Sequence, residues 1–378
     1  MIITAPEISR TETHCKYKVN VLMQSGPKEL WFRVQNDFAE LISHNSDAAV
    51  IALLIPAMLS NEEIKVEGAV SERLLLNLSG PLQKILQLII PSLNVIHIHA
   101  AETNSVSNPA KGVATGFSGG IDSFCTLDDF KYNKKSDRSQ ITHLLFNNFG
   151  SHGKTNAQKI FDKRYIALLD TTQKIGLPFV KIDSNLADFY DKKINFKQTH
   201  TIRNAVAPFL LQKGIGTFYY SSGLSYETTF IGKKSDTAYS DLVTLPMLST
   251  ESLHLTSVGG EYSRVEKTLK VSHIPDSYET LDVCARGRNE INCSACKKCM
   301  RTLLTLELAG KLKQYAAVFD LDIFQKERAR YISKAQQGGD PLFEEIVSFA
   351  HKNGNQTLTA PTYYKLLYWL KKRIKAIK

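Results

Sequence analysis

The sequence predicts an α/β fold with a parallel sheet, and three observations support that prediction. Between residues 112 and 223, short apolar runs alternate with longer segments of helical periodicity, a pattern typical of parallel strands joined by crossover helices. A polar loop with two adjacent glycines, Ser118–Ser123, lies where the first of these runs meets a helix. Four cysteines fall within residues 284–299, so we also expect a metal-binding segment.

The first hundred residues predict an α+β region without a catalytic motif. Lys16–Met23 alternates apolar and polar residues, and Trp31–Val34 resembles it in composition, so both predict strands. Asp47–Leu54 is almost entirely apolar and fits either a buried strand or a helix. Leu82–Ile90 has apolar residues at helical spacing up to Pro91, and Asn94–Ala100 alternates as a strand does.

A polar stretch, Glu102–Lys111, predicts a domain boundary. We therefore expect an N-terminal accessory domain over residues 1–106 and a catalytic domain over 107–378, which includes the cysteines and C-terminal helices. The elements predicted after the boundary are the strands Gly112–Phe117, Ile141–Phe146, Pro178–Ile182 and Thr217–Gly223, and the helices Ala157–Ile175, ended by Gly176, and Ile202–Gln212, kinked at Pro208.

Composition indicates a soluble protein with an anionic ligand or partner. The longest apolar run, Ala48–Leu59, contains Pro56 and is too short to span a bilayer, and Met1–Arg10 lacks the order of a signal peptide. We therefore expect a cytoplasmic protein with no membrane contact. The net charge of +10 suits a nucleotide, a nucleic acid or an acidic protein.

The end of the chain predicts helices from Lys311 onward. The last one has an apolar face within a basic rim, which we interpret as a terminal helix packed on the core; binding of RNA or an acidic partner is the alternative. The apolar face comprises Tyr363, Leu366, Leu367, Leu370, Ile374 and Ile377.

The loop Ser118–Ser123, here called the glycine loop, predicts an oxyanion site. Gly119 and Gly120 let backbone N–H groups approach an anion without interference from a Cβ, and Ser118 and Ser123 add hydroxyl donors. The alternative is a solvent-exposed turn capped by Asp122. The loop lacks the lysine of a Walker P-loop, so it does not indicate transfer of a terminal phosphoryl group.

The four cysteines, here called the cysteine cluster, predict a metal site. Cys284, Cys293, Cys296 and Cys299 have the spacing C-x8-C-x2-C-x2-C, and four thiolates at such separations can complete a tetrahedral Zn²⁺ shell. Nearby basic residues offset the charge of four thiolates: Arg286, Arg288, Lys297, Lys298 and Arg301. Free or redox-active thiols and an iron–sulfur cluster are the alternatives, and the spacing favours zinc.

The glycine loop matches SGGxDS, the pyrophosphate loop of the PP-loop ATP pyrophosphatase superfamily, at all five specified positions. This resemblance implies a Rossmann-like fold of the adenine nucleotide alpha hydrolase type. It also implies that the loop holds the β and γ phosphates of ATP while a substrate oxygen attacks the α phosphorus. Mg²⁺ would screen the phosphates, and AMP and pyrophosphate would be the products.

Within that superfamily the chain resembles 7-cyano-7-deazaguanine synthase, the QueC group, over about residues 111–310. The cysteine spacing is similar to that of the family. Three segments upstream of the cysteines also resemble family segments and occur in the same order: Arg203-Asn204, Tyr239-Ser240-Asp241 and Arg264–Lys267. The resemblance implies a catalytic role for Ser118, Asp122, Ser123 and Arg203. It implies binding of ATP or substrate by the glycine loop together with Asn204, Tyr239, Asp241 and Lys267.

Two departures distinguish the chain from the compact synthases. The family has Cys-Arg after its Tyr-Pro-Asp segment, whereas Leu242-Val243 follows Asp241 here, and the synthases lack the N-terminal hundred residues. Relatives occur in anti-phage operons, where some attach a deazaguanine to a partner protein, and in surface-polysaccharide clusters. An accessory domain on an adenylating core fits such a setting.

The sequence therefore predicts an ATP-dependent ligase that adenylates a carboxylate, 7-carboxy-7-deazaguanine or a similar compound, and forms an amide with a nitrogen nucleophile. The nucleophile is either an amine of a partner protein engaged by the N-terminal domain, in anti-phage defence, or ammonia, as in the conventional synthase. A tRNA thiolase and a non-catalytic nucleotide-binding scaffold are further alternatives. We expect ATP, Mg²⁺ and Zn²⁺ as cofactors and a homodimer as in related enzymes; a nucleic-acid partner is less favoured.

Overall fold

The computed structural model describes residues 1–133, 136–153, 156–191, 194–234, 236–284, 292–354 and 358. The chain divides into two compact units. The first comprises Met1–Phe117 and Asn133–Gly260, and the second comprises Ser118–Tyr132 and Glu261–Lys378. Among the residues described, no helix is both long and apolar enough to cross a bilayer.

The first unit contains an eleven-stranded, mostly parallel sheet. Its spatial order is β11-β10-β7-β8-β9-β4-β3-β1-β5-β6, and β2 pairs with β3 beside this path. The strands are β1 (Ile2–Ile3), β2 (Glu7–Arg10), β3 (His14–Met23), β4 (Gly26–Gln35), β5 (Ile64–Ser71), β6 (Ile98–Asn104), β7 (Gly112–Gly116), β8 (His143–Asn147), β9 (Phe179–Ser184), β10 (Ile215–Ser221) and β11 (His254–Val258).

The predicted parallel sheet is present: β7 to β11 form one parallel part of it, and β1, β5 and β6 pair in parallel as well. β7 lies between β8 and β10, and all pairings among these five strands are parallel. β3 and β4 instead form an antiparallel hairpin that turns at Gly26, whose φ of +108° only glycine adopts readily. β4 then pairs antiparallel with β9, Phe32 opposite Ser184, so the N-terminal strands continue the same sheet.

Eleven α-helices lie in the described residues. Those of the first unit are α1 (Asp47–Ser60), α2 (Glu72–Leu78), α3 (Pro81–Ile89), α5 (Ala157–Ile175), α6 (His200–Leu210) and α7 (Asp241–Met247). Those of the second are α4 (Ile121–Leu127), continued by a π-helical turn over Asp128–Tyr132, α8 (Arg264–Val271), α9 (Lys297–Leu308), α10 (Leu321–Gly338) and α11 (Pro341–Lys352).

Helix α1 resolves the alternative between strand and helix for Asp47–Leu54. Every residue from Asp47 to Met58 is buried, so the apolar pattern has no face that periodicity could reveal. Helix α5 has the predicted bounds and ends at Gly176, whose φ is +73°. Helix α6 begins earlier than predicted, at His200, and contains Pro208.

The N-terminal residues share one hydrophobic core with the rest of the first unit. Val50 and Leu54 of α1 belong to the same buried cluster as Ile182 of β9 and Val206 of α6. The boundary predicted between residues 106 and 107 therefore falls inside the first unit, and the structure divides the chain at other residues. Whether residues 1–106 fold as an accessory domain stays a prediction.

The second unit is helical in the described residues and has a core of its own. Its buried apolar side chains include Phe124, Val265, Leu303, Phe324 and Phe343, contributed by five different helices. The predicted helices after Lys311 are present as α10 and α11. The predicted basic helix around Tyr363–Lys378 lies outside the described residues.

Candidate nucleotide loop and metal centre

In the glycine loop one of the two glycines has a left-handed backbone, whereas Gly120 is extended with a φ of −88°. Gly119 has a φ of +72°, in the left-handed region that favours glycine. Its carbonyl oxygen accepts a hydrogen bond of 2.8 Å from the backbone N–H of Asp282. The hydroxyl of Ser123 donates to the carbonyl oxygen of Gly120 at 2.9 Å, which fixes the start of α4.

Asp122 is held between two cations of α8. Its carboxylate lies 2.9 Å from a terminal nitrogen of Arg264 and 3.2 Å from Nζ of Lys267. Lys267, which the resemblance assigned to ligand binding, has a side chain only 2% exposed. The three groups together carry one net positive charge beside the glycine loop.

The pKa of the Asp122 carboxyl lies below its ordinary value. Burial opposes ionisation of this group, but the charges of Arg264 and Lys267 and their hydrogen bonds to the carboxylate outweigh it. The carboxylate is therefore ionised at neutral pH, and an ionised carboxylate only accepts hydrogen bonds. It can hold Arg264 and Lys267 in position, but it cannot itself donate a hydrogen bond to a phosphate.

A second group of charges extends the contact between α4 and α8. Nζ of Lys270 lies 2.7 Å from a carboxylate oxygen of Asp128 and 2.9 Å from one of Asp129, and it also lies over the ring of Tyr262. The hydroxyl of Tyr262 donates to Asp129 at 3.2 Å. This group fixes the register between the two helices and so supports the position of Lys267.

The cysteine cluster brings four sulfur atoms together. All four lie within 4.8 Å of one another, and the distance from the Cys299 sulfur is 3.4 Å to Cys296 and 3.9 Å to Cys293. A tetrahedron of Zn–S bonds has sulfur–sulfur edges of about 3.8 Å. The donor set and its spacing are therefore consistent with zinc.

The backbone around the cluster supports a metal site. The N–H of Cys296 donates to the Cys293 sulfur at 3.3 Å, a contact that favours a thiolate. Burial raises the pKa of the Cys299 thiol, so a free thiol there would be protonated. A bound cation would reverse that preference and keep the sulfur ionised. The basic residues Arg286 and Arg288 lie outside the described residues.

Asn292, which the sequence did not single out, joins the two parts of the cluster. Its side-chain oxygen accepts from the N–H of Val283 at 2.8 Å, and its side-chain nitrogen donates to the carbonyl oxygens of Leu281 and Val318. An asparagine without a motif gives no sequence signal, although its position next to Cys293 was the available hint.

Arg203 lies in an aromatic cage within the first unit. The guanidinium carbon is 3.5 Å from the centre of the Tyr190 ring and 5.4 Å from that of Phe196, and one nitrogen donates to the carbonyl oxygen of Phe149 at 3.1 Å. Gly150 makes room for the guanidinium, which a Cβ at that residue would overlap. Arg203 is only 5% exposed. Because its guanidinium is buried against Phe149 and Gly150, it restrains the loop that these two residues form.

Asn204 and Asp241 belong to a polar network near the carboxyl end of β10. The side-chain nitrogen of Asn204 donates to the Tyr220 hydroxyl at 3.3 Å, and this hydroxyl also lies 2.7 Å from Nδ1 of His200. Thr201 donates to one oxygen of Asp241 at 2.6 Å. The other oxygen of Asp241 is buried with no hydrogen-bond partner among the described residues.

Burial raises the pKa of Asp241 to about 6, and the nearby His200 ring and the Thr201 hydroxyl only partly oppose that effect. Nε2 of His200 lies 2.9 Å from a carboxylate oxygen of Asp236. Tyr239 is half buried, and its ring lies 5.0 Å from Nζ of Lys234. His200, Tyr220 and Asp236 are members of this network that the sequence did not identify.

The predicted site residues thus fall into two sets. Arg203, Asn204, Tyr239 and Asp241 belong to the first unit, and the glycine loop, Lys267 and the cysteine cluster belong to the second. The structure brings Lys267 to Asp122, and it brings the four cysteines together.

Comparisons of the chain with protein-family models, with curated proteins and with solved structures find no match in any of the three.

Proposed function

We propose that this chain is an AMP-forming carbon–nitrogen ligase of the PP-loop type. The observation that carries the proposal is the glycine loop: Gly119 has a left-handed backbone, and Asp122 orients two cations beside the loop. Glycine backbone and oriented cations are what a pyrophosphate group requires for binding. The resemblance to the QueC group and the zinc-compatible cysteine cluster support the same proposal.

In this proposal the second unit binds the polyphosphate. Ser118 and the N–H groups of Gly119 and Gly120 donate to the β and γ phosphates, and Arg264 and Lys267 balance their charge. Asp122 acts by holding these cations. Mg²⁺, when bound with ATP, would screen the remaining charge.

The reaction is acyl activation followed by amide formation. A carboxylate oxygen of the substrate attacks the α phosphorus, and pyrophosphate leaves with the electron pair of the broken P–O bond. A nitrogen nucleophile then attacks the carbonyl carbon, loses a proton, and displaces AMP together with that carboxylate oxygen. The protein's part is to align these groups and to stabilise the charge on the leaving pyrophosphate.

Substrate recognition falls in this proposal to the polar network of the first unit. The unpartnered oxygen of Asp241 can accept a hydrogen bond from an N–H of a deazapurine-like substrate. Asn204 and Tyr239 supply further polar groups. Arg203 acts as a positioning residue for the Phe149–Gly150 loop, since its guanidinium is enclosed by aromatic rings.

We further propose an amine of a partner protein as the nucleophile, because the net charge of +10 favours an acidic macromolecule. Ammonia is the alternative. Incubation with ATP, Mg²⁺, 7-carboxy-7-deazaguanine and either ammonium or candidate partner proteins separates the two: intact-protein mass spectra would show an added deazaguanine in one case, and small-molecule spectra a free amide or nitrile in the other.

Pyrophosphate exchange into ATP, with the carboxylate present, tests the activation step. Ser118→Ala and Asp122→Ala should each lower the exchange rate on the order of 10²–10³-fold, as removal of groups that stabilise transferring charge does elsewhere. Unchanged exchange in both variants would exclude the glycine loop as the phosphate site.

Two glycines provide a matched control. Gly119 and Gly176 have φ values of +72° and +73°, so an alanine at either residue should destabilise the protein similarly, by about 1 kcal/mol. Only Gly119→Ala should abolish pyrophosphate exchange.

Two other outcomes would favour the alternative functions. ATP binding without pyrophosphate release would favour a non-catalytic nucleotide-binding scaffold. Iron in the cysteine cluster together with sulfur transfer to tRNA would favour a tRNA thiolase.

A further inference from the structure

The four residues that end at the first cysteine of the cluster, Cys284, are held by contacts at both ends. Leu281–Cys284, here called the bridging segment, contacts the glycine loop through the N–H of Asp282, which donates to the carbonyl oxygen of Gly119 at 2.8 Å. Its last residue, Cys284, is one of the four cluster cysteines. The bridging segment is therefore the shortest covalent path between the glycine loop's hydrogen-bond partner and the metal centre.

Each residue of the bridging segment is fixed by a hydrogen bond. The carbonyl oxygen of Leu281 accepts from the Asn292 side chain at 2.8 Å, and the N–H of Val283 donates to that same side chain at 2.8 Å. The N–H of Cys284 donates to the Asp282 carboxylate at 3.1 Å. Asn292, 4% exposed, thus holds the segment in a single register.

Asn292 is also adjacent in the chain to the second part of the cysteine cluster, which starts at Cys293. It immediately precedes Cys293, and its own N–H donates to the carbonyl oxygen of Val318 at 3.1 Å. A metal held by Cys284 and Cys293 would clamp the two chain segments that Asn292 bridges. Metal ligation and the Asn292 hydrogen bonds therefore restrain the same segment.

The hydrogen bond to Gly119 determines where the next N–H points. In a trans peptide the C=O of one residue and the N–H of the next point in opposite directions. With the Gly119 carbonyl engaged by Asp282, the N–H of Gly120 is directed to the opposite side of the glycine loop. Displacement of the bridging segment would free this peptide to rotate.

We propose that the bridging segment couples metal occupancy of the cysteine cluster to the conformation of the glycine loop, with Asn292 and Asp282 as positioning residues. The coupling rests on the contacts above, and its consequence for ATP rests on the proposed function. Loss of the metal would then weaken nucleotide binding without removing any group that touches the nucleotide.

Hydrogen–deuterium exchange of the full chain without nucleotide tests the coupling. Removal of zinc by a chelator should raise exchange on the order of tenfold in the peptide covering residues 281–284, where the N–H of Asp282 loses its acceptor, and in the peptide covering residues 118–124, which that hydrogen bond restrains. Exchange in β3 and β4 of the first unit should stay unchanged and serves as the internal reference.

Asn292→Ala separates the coupling from a general loss of structure. This variant should retain one zinc per chain, because all four cysteines remain, and should still show the faster exchange at residues 118–124. Ser333→Ala, which removes another buried polar group of the second unit, should leave the exchange of the loop unchanged. Normal loop protection in zinc-loaded Asn292→Ala would overturn the proposal, as would equal loosening in Ser333→Ala.

ATP affinity and pyrophosphate exchange complete the test and distinguish its two parts. If zinc-loaded Asn292→Ala binds ATP about tenfold more weakly, the coupling reaches the nucleotide. If the loop loosens but neither the wild-type chain nor the variant exchanges pyrophosphate, the proposed function is wrong and the coupling stands. If exchange is normal and the loop does not loosen, the coupling is wrong and the function stands.

Discussion

Two aspartates in first helical turns show how surroundings determine the state of a single residue. Asp122 is the second residue of α4 and lies beside Arg264 and Lys267, which lower its pKa despite burial. Asp241 begins α7 among Thr201, His200 and a second carboxylate, and burial raises its pKa to about 6. The pKa values of two aspartates in first helical turns are therefore displaced in opposite directions.

Asp241 should make stability depend on pH between about 4 and 7. Because its folded pKa is raised above the unfolded value of about 3.9, its contribution is full below that value and is lost as pH rises through about 6. Asp241→Asn removes this titration. The variant should gain stability relative to wild type by up to about 3 kcal/mol between pH 4 and pH 7.5, measured by urea unfolding.

Asp188→Asn, at an exposed residue, is the matched control. The difference in free energy of unfolding between this variant and wild type should not change between pH 4 and pH 7.5. A pH-independent difference for Asp241→Asn would show that this carboxyl is already ionised at pH 4.

The sequence singled out the glycine loop and the segment Arg264–Lys267 but did not predict the ion pairs between them. The motif and its glycines indicate an anion site locally, whereas the pairing of Asp122 with Arg264 joins residues more than a hundred positions apart. Asn292 is a stronger example, since an asparagine that fixes backbone by three hydrogen bonds is indistinguishable in sequence from one in a turn.

At the scale of elements, prediction succeeded where one face of an element is exposed or a glycine ends it. The length of α5 follows from its amphipathic pattern and from Gly176. For α1 the same reasoning could not distinguish a helix from a strand, because all faces of this helix are buried. The polar stretch Glu102–Lys111, which predicted a boundary, begins inside a strand, because β6 extends to Asn104. β6 lies at the edge of the sheet, where exposed polar side chains are tolerated.

The start of α9 should depend on metal bound by the cysteine cluster. Cys299→Ser should lower zinc content well below one per chain, because serine is a poor zinc ligand, and should lower the melting temperature. Cys125→Ser is the control: Cys125 is also buried and free but lies outside the cluster. Elemental analysis and thermal unfolding of both variants check this expectation, and full zinc content in Cys299→Ser would contradict it.

At the scale of the whole molecule, the single sheet of the first unit was not predictable. Strand propensity gives β4 and β9 separately, but their pairing joins residues about 150 positions apart, and no local signal specifies it. The class of fold was predictable, because alternation of strands and helices is itself local.

A fragment comprising residues 107–378 should be insoluble or prone to aggregate. It would lose β4, exposing the edge of β9, and it would lose α1, whose buried residues pack in the core that includes Val206. Production of residues 1–106 in the same cell should restore solubility. A monomeric fragment that unfolds cooperatively at the temperature of the full chain would instead support an independent catalytic domain.

The way the chain alternates between the two units has a consequence for biosynthesis. Ser118–Tyr132 belongs to the second unit, but the chain returns to the first unit before the second resumes at Glu261. The ribosome therefore makes α4 about 140 residues before α8, a delay on the order of ten seconds at typical rates of synthesis. During that interval Asp122 lacks Arg264 and Lys267, the two cations that hold it. The glycine loop thus emerges early from the ribosome and is among the last parts of the chain to reach its final structure.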